Sequence, residues 1–519
     1  MHFKKKLNKT IFYFSLFFMS FIFSVLQNKA DLDLWHRMAV GKIFSRTGNV
    51  LYHDIFSYFP VKTLWVDHEW LSGVIFYNLG HYFGDSGILF LKIFIYFGIL
   101  VLIYKTHKLM QSRAESNNNI VFYILVFIAL TPGLGSVLRC QAFTYLFFTL
   151  WIYVLERVRR GENRLIWILP ATILIWANLH GGFLAGLGLI LFYAVGEFLN
   201  KKSYLKYIGI LALCLPVTLI NPYGFKYWTY LAEAVTMQKP FVSEWNAFNF
   251  SGNFFEDIGF KIFVLIFVFS MIYKIILKYK NSASQKFDFV EIITLFVTLI
   301  LSLLHVRHAV FFSIAASVYC YKYYSSLIKL ILLKVNLFKN ISEKTLNLLS
   351  FSGLAFIYIL TAGFFAYTVV TEPFLIKLNY YPTKAVEFIK INKLNGNLLV
   401  PFNWGSYALW KLYPQNHISI DGRYEETYTN EAFADISKIT FRQKDWKKTF
   451  YKYRHDVILT EKDSAFEKEL RKLKDLKPVY EDEKAVIFVP VSIPYKNWLK
   501  PNRDENYYIK TKYENDINF

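Results

Sequence analysis

The segment Ile88–Tyr104 reads ILFLKIFIYFGILVLIY, an apolar run interrupted by one charge, Lys92. An α-helix rises about 1.5 Å per residue, so about 20 residues of this character cross roughly 30 Å of hydrocarbon. Similar runs lie at Ile11–Leu26, Ile120–Leu130, Phe143–Leu155, Leu165–Asn178, Phe183–Phe198, Tyr207–Ile220, Phe260–Leu277, Phe289–Leu304, Ala309–Tyr324 and Leu349–Val370. Together they predict an α-helical multi-span membrane protein of about eleven crossings. Composition agrees: 55% of the 519 residues are hydrophobic and 19% charged. Soluble chains carry about 25% charged residues, so an ordinary soluble enzyme, a fibrous chain and a disordered one are excluded. Lys plus Arg outnumber Asp plus Glu by 59 to 38. In a membrane protein that excess reports topology and does not point to nucleic acid. Cys140, Cys214 and Cys320 are too few and too scattered for a disulfide framework or a zinc site.

The charges orient the runs. Lys4, Lys5, Lys6 and Lys9 precede the first one. A cleaved signal peptide would end at Ala30, but Asn28 two positions earlier is not a small residue, so an uncleaved first span is expected. Lys105, Lys108 and Arg113 fall on the side of the N-terminus when each run is one crossing, as do Arg157, Arg159, Arg160 and Arg164. So do Lys201, Lys202 and Lys206, then Lys274–Lys286 and Lys322–Lys334. The positive-inside rule makes that side cytoplasmic. The expected organisation is a transmembrane domain over 1–371 with a long first outer loop at 28–86. An outer α/β domain follows over 372–498, then a polar tail over 499–519. In the outer domain, helices are expected at Thr383–Lys393, Ser406–Leu412 and Ala465–Lys474. Strands are expected at Leu398–Phe402, His417–Asp421, Asp456–Thr460 and Ala485–Pro490, in a largely parallel sheet.

Chemistry concentrates where the outer side interrupts the runs, because a charge beside a membrane span is costly unless paired or wet. The first outer loop opens Asp31-Leu32-Asp33-Leu34-Trp35-His36-Arg37. The two acids share a face only if the backbone is extended; in a helix Asp33 faces Arg37. The plain structural alternative is an N-cap opening a helix through about Phe44. Further along stand Asp67, His68 and Glu69, a metal-ligand and acid pair or a capped helix start, with Trp35, Trp65 and Trp70 suited to an aromatic belt. Other outer turns carry Arg139, His180 in His180-Gly181-Gly182, and His305, Arg307 and His308. Arg307 can snorkel and His180 can cap a glycine turn. Taken together, basic groups beside acids at headgroup depth suit an enzyme that holds a lipid-linked phosphate and moves protons next to it. Glu244-Trp245 lies in the next outer loop and could approach the site.

This constellation resembles the GT-C superfamily of membrane glycosyltransferases, distantly similar to oligosaccharyltransferases and protein O-mannosyltransferases. It is closest to a bacterial subgroup of poorly defined substrate. The strings that carry the resemblance are Asp31–His36, Asp54-Ile55-Phe56-Ser57-Tyr58, Trp65–Trp70, Ala177–Gly182, Asn221–Gly224, Arg307-His308, Trp404–Tyr407 and Ile420–Arg423, in order over most of the chain. The resemblance implies transfer of a sugar, with inversion, from a polyprenyl-phosphate-linked donor to a glycan, lipid or protein acceptor. The reaction would occur at the outer face of a bacterial inner membrane. It implies Asp33 or Asp31 as the base, and Arg139, Arg307, His305, His308 and His180 as the groups that neutralise the donor phosphate. His36, Arg37, His68 and Glu69 would support them. It leaves a divalent cation, Mg or Mn, open as cofactor. Asn403-Trp404-Gly405-Ser406-Tyr407 lacks the Asp of the oligosaccharyltransferase peptide-reading motif, which argues against peptide recognition.

Ligands of open α/β sheets bind at the carboxyl ends of strands, which makes Trp404, Tyr407, Asp421 and Arg423 candidates for the acceptor. The alternative is that Asp421-Gly422 is a turn and Tyr407 is core. A surface-polysaccharide ligase or polymerase and a lipid-linked-glycan transporter or flippase stand as rival functions.

Overall fold

The computed structural model describes residues 12–25 (15 and 23 excepted), 29–110, 138–236, 243–249, 287–320, 380–494 (with 378) and 498–500, and isolated helical positions within 260–276 and 359–367. The run Ile120–Leu130, most of Leu349–Val370, part of Phe260–Leu277, the end of Ala309–Tyr324 and the tail beyond 500 lie outside the described residues.

The fold is organised around helix α1 (Leu34–Thr47), which Gly48 ends in a left-handed conformation (φ 70°) while its N–H bonds to the Phe44 carbonyl at 2.8 Å. Helix α2 (Trp70–Met110) packs along α1 and is broken at Gly84, where φ is 64° and ψ −155°. The two backbones nearly touch at Gly41 and Gly73: a Cβ on either would overlap backbone of the other helix. Helices α3 (Gln141–Arg159), α4 (Ile168–Leu179), α5 (Phe183–Leu199), α6 (Leu205–Val217), α7 (Phe225–Thr236), α8 (Phe289–Leu304) and α9 (Ala309–Tyr319) build the rest of the helical body. Its interior includes Trp151 and Trp176, ring to ring at 5.3 Å and 89°. Gly186 leaves the room they fill.

The expectation of about eleven crossings is corrected here. Among the described residues one helix, α2, is long and apolar enough to cross a membrane by length and composition. The other apolar helices are 10–17 residues long. The reason is length: the runs Phe183–Phe198, Tyr207–Ile220 and Phe289–Leu304 fold into helices of 17, 13 and 16 residues, which at about 1.5 Å per residue fall short of about 30 Å of hydrocarbon. Composition reports apolarity and says nothing of where a helix stops.

The segment after residue 380 carries α10 (Thr383–Ile391), β1 (Gly396–Leu399), α11 (Phe402–Leu412), β2 (Asn416–Ile418), α12 (Asn430–Thr440), β3 (Val457–Glu461), α13 (Ala465–Leu470), β4 (Leu476–Glu481) and β5 (Ala485–Pro490). The sheet order is β2-β1-β3-β5-β4. It is mixed, where a largely parallel sheet was expected: β1 runs parallel to β2 and β3, but β5 is antiparallel to β3 and β4. The first loop extends the β2 edge. Tyr58 N–H donates to the Ile418 carbonyl at 3.2 Å, and Ile418 N–H to the Phe56 carbonyl at 2.9 Å. Phe59 stacks on Tyr453 at 4.0 Å and enters a small core with Leu399, Ile420, Tyr424 and Tyr428. Residues 50–66 therefore fold with the C-terminal sheet, far away in sequence.

Helix α11 crosses the chain beyond β2 so closely that a Cβ on Gly405 would overlap the Ile420 carbonyl oxygen, a backbone atom that cannot swing aside. Gly405→Ala is therefore expected to cost about 1–3 kcal/mol or more through overpacking. Gly48→Ala meets open space and costs only its left-handed strain, about 1 kcal/mol. Thermal unfolding of the two variants should rank them in that order; equal midpoints would contradict the close crossing.

Candidate active site

Asp31 and Asp33, two residues apart, sit in different chemistry. Asp31 is buried, and both its oxygens are committed: Oδ1 accepts the Asp33 N–H at 2.9 Å and Oδ2 accepts from Arg139 Nε. Asp33 occupies the N-cap position of α1, yet its side chain caps nothing. Among the described residues its carboxylate makes no hydrogen bond or ion pair. It lies against the backbone of Gly422, where an added Cβ would overlap Asp33 Oδ1 and come within 3.5 Å of His36 Cε1. Burial, then the Asp31 charge, push the Asp33 carboxyl well above the usual range, against the pull of Arg139 and Arg37. The helix start thus delivers one paired acid and one unpaired acid whose affinity for a proton is raised.

His36, fully buried, places Nδ1 3.0 Å from Ser406 Oγ, and that hydroxyl lies 3.5 Å from the Gly422 N–H. Burial, Arg37 and Arg423 hold its imidazole well below the ordinary value, so it stays neutral. One residue on, Arg37 is buried among three carboxylates. Nη1 donates to Asp67 Oδ1 at 2.5 Å, while Nη2 reaches Glu69 Oε2 at 2.7 Å and Glu426 Oε1 at 2.6 Å. His68 joins the same acids, 3.1 Å from Glu426 and 3.5 Å from Glu69. Trp65 Nε1 donates to the other Glu426 oxygen at 3.0 Å. Burial works against the His68 charge, but Glu426 and Glu69 outweigh it and raise its pKa to about 10. The same neighbours leave Asp67 raised to about 6, by burial first, and hold Glu69 and Glu426 below the ordinary range despite burial, chiefly through Arg37.

The anticipated phosphate-binding set divides. Arg139 pairs with Asp31 and, at 2.5 Å, with Glu244. His180 accepts the Gly182 N–H at 2.8 Å on Nδ1, beside the Thr144 hydroxyl, and turns Nε2 to Glu69 at 3.3 Å. Burial first depresses it to about 3, so it is neutral and belongs to the Glu69 network. His305 meets a carbonyl instead: its Nδ1 sits 2.6 Å from the Trp245 carbonyl oxygen. His308 is lowered to about 4 by burial, Arg307 and His305. Arg307 lies 4.6 Å over the Trp245 ring and has no ion-pair partner among the described residues. Arg307 and Asp33 both act electrostatically on Tyr424, whose buried hydroxyl finds no hydrogen-bond partner among the described residues.

The acceptor candidates also divide. Trp404 lines a cleft beside Asp31 and donates Nε1 to the Tyr380 carbonyl at 3.2 Å. Tyr407, Asp421 and Arg423 are fully buried. Tyr407 is fully buried against Tyr381 (4.9 Å) and Trp35 (5.2 Å). Arg423 bonds Asp421 at 2.8 Å and Asp54 at 2.5 Å between the rings of Phe56 and Trp65. It ties the first loop to the sheet. Glu426, Tyr424 and Ser406 had escaped the sequence reading. The only trace of the first two is their position just after Ile420-Asp421-Gly422-Arg423, while Ser406 lies inside a string already singled out. Among the described residues no group of three or more His, Cys, Asp or Glu side chains could hold a metal ion. Asp31, Asp67, Glu69 and Glu426 are held by arginines and His68, and Asp33 alone is left without such a partner, so the described donor set does not fit a divalent cation.

In comparisons with known proteins, no family model matches the chain and no curated protein matches its sequence.

The His68 charge carries a pH signature. Its folded pKa of about 10 exceeds the ordinary 6.5, so its stabilisation is full below pH 6.5 and is lost as pH rises through 10. His68→Gln is expected to remove that part of the alkaline fall in unfolding midpoint. The check is the difference between the two chains' midpoints across pH 6–11; a constant difference would mean that His68 carries no charge in the fold.

Proposed function

We propose that this chain is a membrane glycosyltransferase that moves a sugar from a polyprenyl-phosphate-linked donor to an acceptor hydroxyl, with inversion, at the outer face of a bacterial inner membrane. The observation that carries the reading is the unpaired, burial-raised Asp33 beside the Asp31–Arg139 pair. Asp33 takes the proton of the acceptor hydroxyl as its oxygen forms the bond to the anomeric carbon. The bond from that carbon to the donor phosphate oxygen breaks, and its electron pair leaves on the phosphate. Arg307, which has no carboxylate to give up among the described residues, is the cation best free to meet that charge. Arg139 would first have to share Asp31 and Glu244. A carboxyl raised above the usual range is the stronger base, as proton abstraction from a hydroxyl requires.

The membrane placement rests on α2. Its first turn adjoins Glu69 and Trp70, and Lys105 and Lys108 lie near its other end. The positive-inside rule then makes the lysine end cytoplasmic and the site end extracytoplasmic.

Glycan profiling by mass spectrometry in the native host tests the reading. Asp33→Asn should copy a deletion strain, with the lipid-linked donor accumulating, because loss of a general base costs about 10²–10⁴-fold in rate. Full restoration of every glycan by Asp33→Asn would return the acid pair to a structural role. Gly422→Ala supplies a second, sharper arm. Its Cβ would overlap the end of the Asp33 side chain, which can swing away, so the unfolding midpoint should hold while transfer falls. Retained transfer in that variant would show that the Asp33 position does not matter.

A further inference from the structure

Helix α2 is longer than a bilayer is thick: its 41 residues, at about 1.5 Å each, reach about 60 Å against roughly 30 Å of hydrocarbon. It does not run straight. Gly84 holds φ 64° and ψ −155°, a conformation open essentially to glycine alone. A Cβ on Gly87 would come within 2.6 Å of the Leu79 carbonyl oxygen, eight residues back. In an unbroken helix those residues stand more than two turns apart, about 12 Å along the axis. The chain therefore turns a corner at Gly84, and α2 is two limbs, one from Trp70 to Phe83 and one from Asp85 to Met110.

The second limb alone has the character of a crossing. Between Asp85 and Lys105 stand nineteen residues whose only charge is Lys92. At about 1.5 Å each they match the roughly 30 Å of hydrocarbon. Lys92 is buried and donates to the Ser24 carbonyl at 3.1 Å, so it faces the protein. The opposite face of the limb carries Phe90 and Phe94, one turn apart and 56% and 59% exposed. At its far end Lys105 and Lys108 are exposed, and the Lys108 ammonium lies 4.9 Å from the centroid of the Tyr104 ring. At the corner Tyr82 and Phe83 are 67% and 64% exposed. Aromatic rings at both ends of a span, with lysines at one, fix its depth between the two water interfaces.

We propose that the Tyr82-Phe83 corner is a membrane anchor, that its partner is the headgroup boundary of the outer leaflet, and that Phe90 and Phe94 face the acyl chains below it. The first limb leaves the hydrocarbon at Gly84, so the Glu69 network at its start stays outside the crossing. The anchor rests on the membrane placement of α2 and is independent of sugar transfer. A protein partner would cover the exposed rings, but it would not explain an apolar length between the two ends that equals the hydrocarbon thickness.

Depth-dependent quenching tests the anchor on the full chain in vesicles of phosphatidylcholine and phosphatidylglycerol. The single variants Phe83→Cys, Phe90→Cys and Phe94→Cys each carry an environment-sensitive fluorophore, and Phe441→Cys on the C-terminal domain sets the unquenched level. All four positions are exposed, whereas the native Cys140, Cys214 and Cys320 are buried, so the unsubstituted chain gives the labelling background. The vesicles hold lipids spin-labelled either near the headgroup or deep in the acyl chain. The ratio of deep to shallow quenching should rise in the order 83, 90, 94, because each residue of the second limb descends about 1.5 Å. Deep quenching at 83 equal to that at 94, or none at 83 beside strong quenching at 94, would overturn the anchor and leave the crossing in place. No quenching at any of the three would overturn the crossing as well, and with it the membrane placement, whatever the chain's sugar chemistry.

Discussion

Everything else in the site hangs from the Arg37 guanidinium, buried with Asp67, Glu69 and Glu426 around it. An arginine cannot shed its proton, so a dry position obliges the chain to bring acids to it. The acids come from separate places: the residues just before α2, and the turn of helix at Tyr424–Thr427 beyond β2. One cation therefore locks the start of α1, the start of α2 and the C-terminal sheet into one frame. Breaking such a buried pair on one side costs about 3–5 kcal/mol, because the partner charge is left unmatched. His68, protonated against Glu426 and Glu69, spreads the same constraint over a second cation. A second lock, Arg423 between Asp421 and Asp54, lies on the same interface and is equally dry. The two arginines explain why acids that look catalytic in the sequence are absorbed into architecture.

That division marks how far the sequence could be read. The strand at Ala485–Pro490 stands with the expected bounds, since a short run of β-branched and aromatic residues between polar turns has few alternatives. The neighbouring strand Leu476–Glu481 reads LKPVYE, with a proline and no alternation, and gave no signal because it is an edge strand paired on one side. Its presence, and the antiparallel β5, turn an expected parallel sheet into a mixed one. Nothing in the order of helices and strands foretells that reversal. The apolar runs identified helices better than crossings. Phe183–Phe198 lies within α5 and Phe289–Leu304 is α8, but the length test singles out only α2 among the described residues.

For the site, the pairing of Asp31 with Arg139 follows from charges expected on one face, and the reach of Glu244-Trp245 to it was open to suggestion. What could not be read was partner choice. Glu425 and Glu426 are adjacent and chemically alike, yet only Glu426 turns inward to Arg37, because the single helical turn Tyr424–Thr427 sets which side chain faces the core. Asp421 and Arg423 look like ligand-binding residues by type and by place on the sheet. Their complete burial depends on residues 50–66 folding back on the β2 edge, a contact across more than half the chain.

The inequivalence of Asp31 and Asp33 has the same origin. Both stand at the mouth of α1, where a carboxylate would ordinarily cap the helix or meet its dipole. Asp31 bends its own chain into a turn and takes Arg139, so both its oxygens are committed. Asp33 lies against the backbone of Gly422, whose N–H faces Ser406 Oγ, while Arg37, the basic partner one turn ahead, is drawn off by three other acids. The clasp that stabilises the fold thus deprives Asp33 of its local counter-charge. Burial, then the Asp31 charge, raises the Asp33 carboxyl, and an arginine clasped by three other acids offsets them only in part.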